Sequence, residues 1–268
     1  MSDAADAARG QVVTGAAEVY DQFFVPALFG QWPPVVLDAA GVGPGDRLLD
    51  VGCGTGVLAR AAAARVGAAG RVTGLDLNEA MLAVARRAGP GAVDWRRGAA
   101  ERLPFPDGAF DRVVSQFVAM FLDDPGAAAG EMARVLAPGG TVAVATWAAV
   151  EESPGYAAMV DLLRRVAGEA AAQALLVPFR LGTPATLEAV LRPAFPGVAV
   201  ARHEGTARFA SLEDWLHTDI RGWTLAGEID DATYARLLAE AGTALAPFVD
   251  PATGAVGFPA PALVATAR

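Results

Sequence analysis

The stretch Asp50-Val51-Gly52-Cys53-Gly54-Thr55-Gly56 carries the residue types and spacing that most directly imply chemistry. Three glycines at alternate positions let a backbone turn sharply and lie close against a ligand. Set between a strand and a helix, such a turn places the ligand at a helix N-terminus and over the carboxyl edge of a sheet. The spacing departs from the dinucleotide-binding pattern Gly-x-Gly-x-x-Gly. The third glycine comes one residue early, at Gly56, and Val57 stands where that pattern wants glycine. A second acid, Asp76, ends Thr73-Gly74-Leu75-Asp76. A carboxylate there can accept bonds from both hydroxyls of a ribose. It can equally cap a helix beginning near Glu79.

Other chemistry is thinly supplied. The histidines are His203 and His217. His217, in Trp215-Leu216-His217-Thr218-Asp219, is the better candidate for a general base, against the plain reading of a surface histidine. Cys53 has no partner for an internal disulfide and fits a reducing compartment. Every Lys-or-Arg position is Arg, which removes Schiff-base chemistry and the lysine of a nucleoside-triphosphate loop. Asp123-Asp124 reads as a solvated loop rather than a magnesium site, and no close His/Cys set has metal-ligand spacing, so no metal is expected. Tyr20, Phe24 and Trp32 near the start, Gln116, Phe117 and Met120 further on, and Trp147, Trp215 and Trp223 are candidates to wall an apolar acceptor pocket. Ordinary packing of the N-terminal helices is the competing reading.

These residues need a scaffold, and the chain supplies an alternating one. Strands are expected over Arg47 to Val51, Arg71 to Asp76, Val93 to Arg96, Phe110 to Gln116 and Thr141 to Trp147. Helices are expected over Val57 to Val66, Glu79 to Arg87 and Ala127 to Leu136, the last stopped by Pro138-Gly139-Gly140. That rhythm predicts an α/β fold, a Rossmann-like, mostly parallel seven-stranded sheet with helices on both faces. Residues 1–34 read as an N-terminal helical lid and 35–150 as the binding core. Residues 151–268 read as a helical cap, near 153–192 and 211–248, plus a sixth strand near Val198 to Glu204 and a final edge strand over Ala262 to Ala267.

At this point the chain resembles the class I S-adenosylmethionine-dependent methyltransferases, in the branch similar to ubiquinone- and menaquinone-biosynthesis enzymes. The resemblance covers roughly residues 35–147. It rests on Leu49 to Gly56, on Asp76-Leu77, on Leu103-Pro104-Phe105-Pro106-Asp107-Gly108-Ala109-Phe110-Asp111 and on Leu136-Ala137-Pro138-Gly139-Gly140. It implies S-adenosylmethionine as cofactor. It also implies that Asp50, Gly52, Gly54 and Gly56 lie along the methionine part and ribose, with Asp76 on the ribose and Leu77 beside adenine. It places Ala99 and Ala100 at the adenine, and Ser115, next to last in the fourth strand, is counted with the cofactor set. Ala99 stands where the family usually has Asp, so adenine is expected to be held by shape and by the Ala100 N–H.

The function this implies is methyl transfer to a small apolar or aromatic metabolite, at oxygen or carbon. Two alternatives share the fold: a cofactor-binding enzyme of other chemistry, such as a cyclase or pericyclase, and a non-catalytic partner subunit. A nicotinamide dehydrogenase is disfavoured by the glycine spacing.

Composition sets the outer limits. The chain has 268 residues, 53% of them hydrophobic, enough for one large domain with its own core. No apolar run has the length of a membrane span, and the first ten residues lack the apolar core of a secretory signal. A cytoplasmic protein is expected, and a homodimer is among the assemblies the sequence allows. The net charge of -9 argues against a nucleic-acid partner. At micromolar protein and physiological salt, a gel-shift assay with duplex DNA or RNA should show no retarded band. A salt-sensitive shift would contradict the charge argument.

Overall fold

The computed structural model describes residues 14–89, 91–222, 225 and 229–268. Trp223 and the first thirteen residues of the expected lid lie outside the described residues.

The strands are β1 (Arg47–Val51), β2 (Arg71–Asp76), β3 (Asp94–Arg97), β4 (Phe110–Gln116), β5 (Leu136–Trp147), β6 (Ala199–His203), β7 (Thr206–Phe209), β8 (Val256–Pro259) and β9 (Ala262–Ala267). Seven form one sheet in the order β3-β2-β1-β4-β5-β9-β6, and β7 pairs with β8 as a separate ribbon. β1 to β5 run parallel, while β9 is antiparallel to both β5 and β6. This is the α/β, mostly parallel seven-stranded architecture the sequence predicts.

The helices are α1 (Thr14–Val19), α2 (Pro33–Ala39), α3 (Val57–Val66), α4 (Glu79–Ala88), α5 (Pro125–Val135), α6 (Pro154–Val166), α7 (Glu169–Leu176), α8 (Pro184–Leu191), α9 (Leu212–Leu216) and α10 (Asp231–Ala244). Side chains fix several of their starts. Asn78 Oδ1 accepts the Ala80 and Met81 N–H groups at the head of α4 (2.8 and 3.4 Å). Asp124 Oδ1 accepts the Ala127 N–H at the head of α5 (2.8 Å), with Pro125 at its first position. α1 runs into a wider, π-helical segment, Tyr20–Phe29, which contains Pro26.

Three expectations need correcting. β9 is an inner strand and β6 is the edge. The burial explains it: five of the six β9 residues are buried, whereas no residue of β6 is fully buried. A continuous apolar run belongs inside a sheet. Pro138-Gly139-Gly140 does not stop a helix. α5 has already ended at Val135, and the Pro-Gly-Gly segment lies within β5, where the register against β4 shifts between Phe110 and Arg112. Third, the helices expected near 153–192 are not all cap. α8 lies against α5, β6 and β9, covering the sheet as a crossover helix.

The rest of the cap is built around aromatic rings. α6 packs on α7, α10 and β8. At its centre the Trp215 ring, fully buried, lies 4.7 Å from Phe258, 5.7 Å from Phe209 and 6.2 Å from Tyr156. The buried Asp219 carboxyl faces Tyr156 and Trp215, and burial pushes its pKa up to about 7. Among the described residues no single helix is long and apolar enough to cross a membrane.

Trp215 was a candidate to touch the acceptor, but its surroundings make it the keystone of the cap. Trp215→Ala should therefore cost stability, on the order of 3–5 kcal/mol. Urea unfolding followed by circular dichroism measures it, and a loss under about 1 kcal/mol would contradict the packing role.

Candidate functional site

A cavity of about 460 Å³ opens at the carboxyl ends of β1 to β4. It lies where the strand order reverses between β1 and β4, the place where ligands bind in open α/β sheets. The turns after β1, β2, β3 and β4 supply its floor and sides. Tyr20 and Phe29, from the two ends of the π-helical segment, reach it from above.

The glycine turn is left-handed three times over, with φ of 71° at Gly52, 53° at Gly54 and 88° at Gly56. The three glycines serve different ends. A Cβ on Gly52 would lie 2.5 Å from the Val118 side chain, and one on Gly56 would lie 2.4 Å from the Trp95 ring. A Cβ on Gly54 would meet no protein atom within 4 Å, and Gly54 borders the cavity. Gly54 is thus the glycine whose bareness leaves room for a ligand. Gly56 is not part of the cavity wall and is held against Trp95.

Asp76 braces this turn from β2. Its Oδ2 accepts the Gly54 N–H at 2.8 Å, and its Oδ1 accepts the Asn78 N–H at 2.8 Å. The capping of α4 falls to Asn78, not to Asp76. Each Asp76 oxygen keeps lone-pair capacity toward the cavity it borders.

Asp50 is the less comfortable acid. It is buried, borders the cavity, and neither oxygen has a hydrogen-bond partner among the described residues. Burial first, and then the Asp76 carboxylate, raise its pKa to about 8. The Ala59 N–H, near the carboxyl but not hydrogen-bonded to it, opposes that shift only in part. An isolated buried carboxylate of this kind calls for a cation. Above the two acids stands Tyr20, whose hydroxyl is pushed to higher pKa by burial and then by Asp76, Asp21 and Asp50, so it stays protonated.

The far wall is aromatic. Phe117 sits at φ 58°, an uncommon conformation for a bulky residue. Its ring stacks on Trp147 at 4.0 Å and lies 5.4 Å from Phe29.

A family model described as "Methyltransferase domain" matches residues 49–144. An uncharacterised protein of Mycobacterium tuberculosis is 42% identical over 117 residues, covering 42% of each chain. The ubiquinone/menaquinone biosynthesis C-methyltransferase of Bordetella avium is 37% identical over 149 residues, 54% of this chain and 58% of that one. The chain thus spans about half the length of the curated relatives it matches. Among solved structures, the phosphoethanolamine N-methyltransferase 2 of Haemonchus contortus, in complex with S-adenosyl-L-methionine, superposes with a TM-score of 0.61 at 18% identity. That match covers 100% of this chain and 60% of that one, and shows the fold alone. Residues 49–144 thus match a methyltransferase domain.

The methyltransferase domain's own residues fit S-adenosylmethionine. It brings a positive charge, and Asp50 is a buried acid without a partner. It brings a ribose, and Asp76 has oxygens left to accept from it. Its bulk needs a bare stretch of backbone, and Gly54 provides one.

The structure gathers most of the sequence-derived candidates and disperses others. Asp50, Gly52, Gly54, Asp76, Leu77, Ala99 and Ala100 border the cavity, as do Tyr20, Gln116 and Phe117. Ser115 does not. It is buried and donates to the Val51 carbonyl at 2.9 Å, fastening β4 to β1. Phe24, Trp32, Met120 and Trp147 are buried in the packing behind the wall. His217 is exposed, edge-on to Phe23 at 6.4 Å, and does not reach the cavity; His203 lies on the edge strand β6. Sequence reasoning missed Phe29, Asn78, Glu101, Val118 and Phe121, all of them at the cavity. Asn78 carried a legible signal, an Asx residue just before a helix. Phe29 carried none, because its approach depends on the packing of the N-terminal segment.

Asp50 makes stability depend on pH in a defined direction. Its folded-state pKa, about 8, lies above the ordinary value of 3.8. Between those limits the folded protein keeps a proton that the unfolded chain has released, so the contribution of this group to stability falls as pH rises toward 8. Asp50→Asn has no proton to lose. Urea melts of the unliganded protein at pH 5 and pH 8 should show a smaller fall for Asp50→Asn than for the parent. Parallel falls would contradict this account of Asp50.

Proposed function

We propose that the chain transfers the methyl group of S-adenosylmethionine to a small apolar or aromatic metabolite, at carbon or oxygen. The observation that carries this is one cavity holding both halves of such a reaction: two carboxylates and a bare glycine at one end, aromatic rings at the other. The Bordetella avium relative, named as a quinone-pathway C-methyltransferase, supports an acceptor of that kind.

In this reading Asp50 neutralises the positive charge of the cofactor, and Asp76 holds its ribose while bracing the turn beneath it. Leu77, Gly98, Ala99 and Ala100 shape the adenine end, with no side-chain carboxylate at position 99. The cofactor, when bound, supplies an electrophilic methyl carbon. The protein's remaining tasks are to orient the acceptor and keep water away, which the aromatic wall and the Tyr20 roof do. Among the described residues no histidine borders the cavity, and Glu101, Asp123 and Asp124 are the side chains there able to take a proton by way of water. Asp124 already caps α5.

The test is methyl transfer itself. Incubation with methyl-labelled cofactor and a panel of naphthoquinols, phenols and catechols should release S-adenosylhomocysteine and label the acceptor. Binding variants complete it. Gly54→Val should abolish cofactor binding in calorimetry by filling the cavity. Asp76→Ala should weaken it by on the order of tenfold to a hundredfold, the loss of a charge-assisted bond pair. Unchanged affinity in both variants would overturn the site.

A further inference from the structure

Gln116 is the polar residue of the cavity's aromatic end. Ser115, before it, is fastened to the Val51 carbonyl, so Gln116 sits beside the root of the glycine turn. Its Nε2 donates to the Phe29 carbonyl at 3.5 Å, the outer limit of a hydrogen bond. Its Oε1 is buried and has no partner among the described residues. A buried carboxamide oxygen left unpaired is disfavoured, and native structures seldom keep one without a reason. The group that would satisfy it must be a donor.

The rings around it say what carries that donor. Phe29 in the roof and Phe117 in the floor lie 5.4 Å apart, tilted by 48°, and Phe121 borders the same end. Phe29 closes the π-helical segment, just before Gly30. Phe29 thus meets the opposite wall through one weak hydrogen bond and through ring contacts with Phe117 and, at 5.8 Å, with Trp147. A flat ring sliding between Phe29 and Phe117 would break the hydrogen bond and replace the contact with Phe117 by two stacking contacts.

We propose that Gln116 reads a hydroxyl on an aromatic acceptor that enters between Phe29 and Phe117, its Oε1 accepting the hydroxyl proton. This rests on the methyl-transfer reading of the same cavity and narrows it to hydroxylated rings. Gln116 is here a specificity-determining residue.

The test is binding, which does not require turnover. The intact protein, saturated with S-adenosylhomocysteine, is titrated with 2-naphthol and with 2-methylnaphthalene, which share size and shape and differ in the donor. The parent should bind 2-naphthol about tenfold more tightly. Gln116→Met, checked for folding by circular dichroism, should bind the two alike. Gln116→Glu, which keeps an acceptor oxygen, should retain the preference. Equal affinities in the parent, no binding of either probe, or a preference surviving in Gln116→Met would overturn the proposal. A preserved 2-naphthol preference without methyl transfer to any acceptor would instead overturn the transferase reading and leave the role of Gln116 standing.

Discussion

Asp76 stands at the end of β2 with each carboxylate oxygen taken by a backbone N–H, one from Gly54 and one from Asn78. Through the first bond it fixes the left-handed glycine turn, and through the second it fixes the residue that caps α4. Two loops that leave different strands are thereby locked to one side chain, and the cavity lies between them. The turn would otherwise be loose. Three alternate positions with positive φ are accessible to glycine, but glycine also has the most freedom to lose on folding. A charge-assisted bond at the middle glycine offsets part of that cost, and it does so at the one glycine left bare toward the cavity.

The same arrangement explains the strain carried by Asp50. It cannot share the donors that Asp76 has taken, because it sits one strand away with its carboxyl buried and unpartnered. An arginine of the protein's own paired with Asp50 would leave no unpaired carboxyl at the cavity. Local destabilisation is here the counterpart of a binding site, a pattern expected where function and stability compete for the same groups.

Much of this was legible in the sequence because it is written locally. Glycines at alternate positions, an acid at the end of the next strand and apolar runs separated by helical periods identify β1, β2 and the turn between them. The sheet follows from that repetition. What was not legible is what depends on contacts distant in sequence. Pro138-Gly139-Gly140 has the composition of a helix stop, yet the chain had already turned into β5, and only the β4 register shows it. Ala262 to Ala267 looks like an edge strand from its place near Pro259 and Pro261, yet its continuous burial makes it an inner one. His217 and Trp215 share a helix-like stretch, and local patterning gives no sign that Trp215 turns into a ring cluster while His217 turns to solvent.

The cap itself reaches the cavity only at second hand. None of its residues borders the cavity among those described. Its contact with the roof runs through β7, which packs along Tyr20–Phe29, and through the π-helical segment His217–Arg221 with the Gly222 that follows it: His217 meets Phe23, and Gly222 is packed so closely on Val19 and Phe24 that a Cβ there would lie 3.0 and 3.2 Å from them. The roof's other residues, Tyr20 and Phe29, then face the ligand space. Two π-helical segments thus lie against each other, each a departure from regular α-helix of the kind that accompanies functional sites. A change in the cap has a route to the cavity through the roof, and the same N-terminal segment packs on α4 through α1 and Tyr20, beside the Asp76-braced turn.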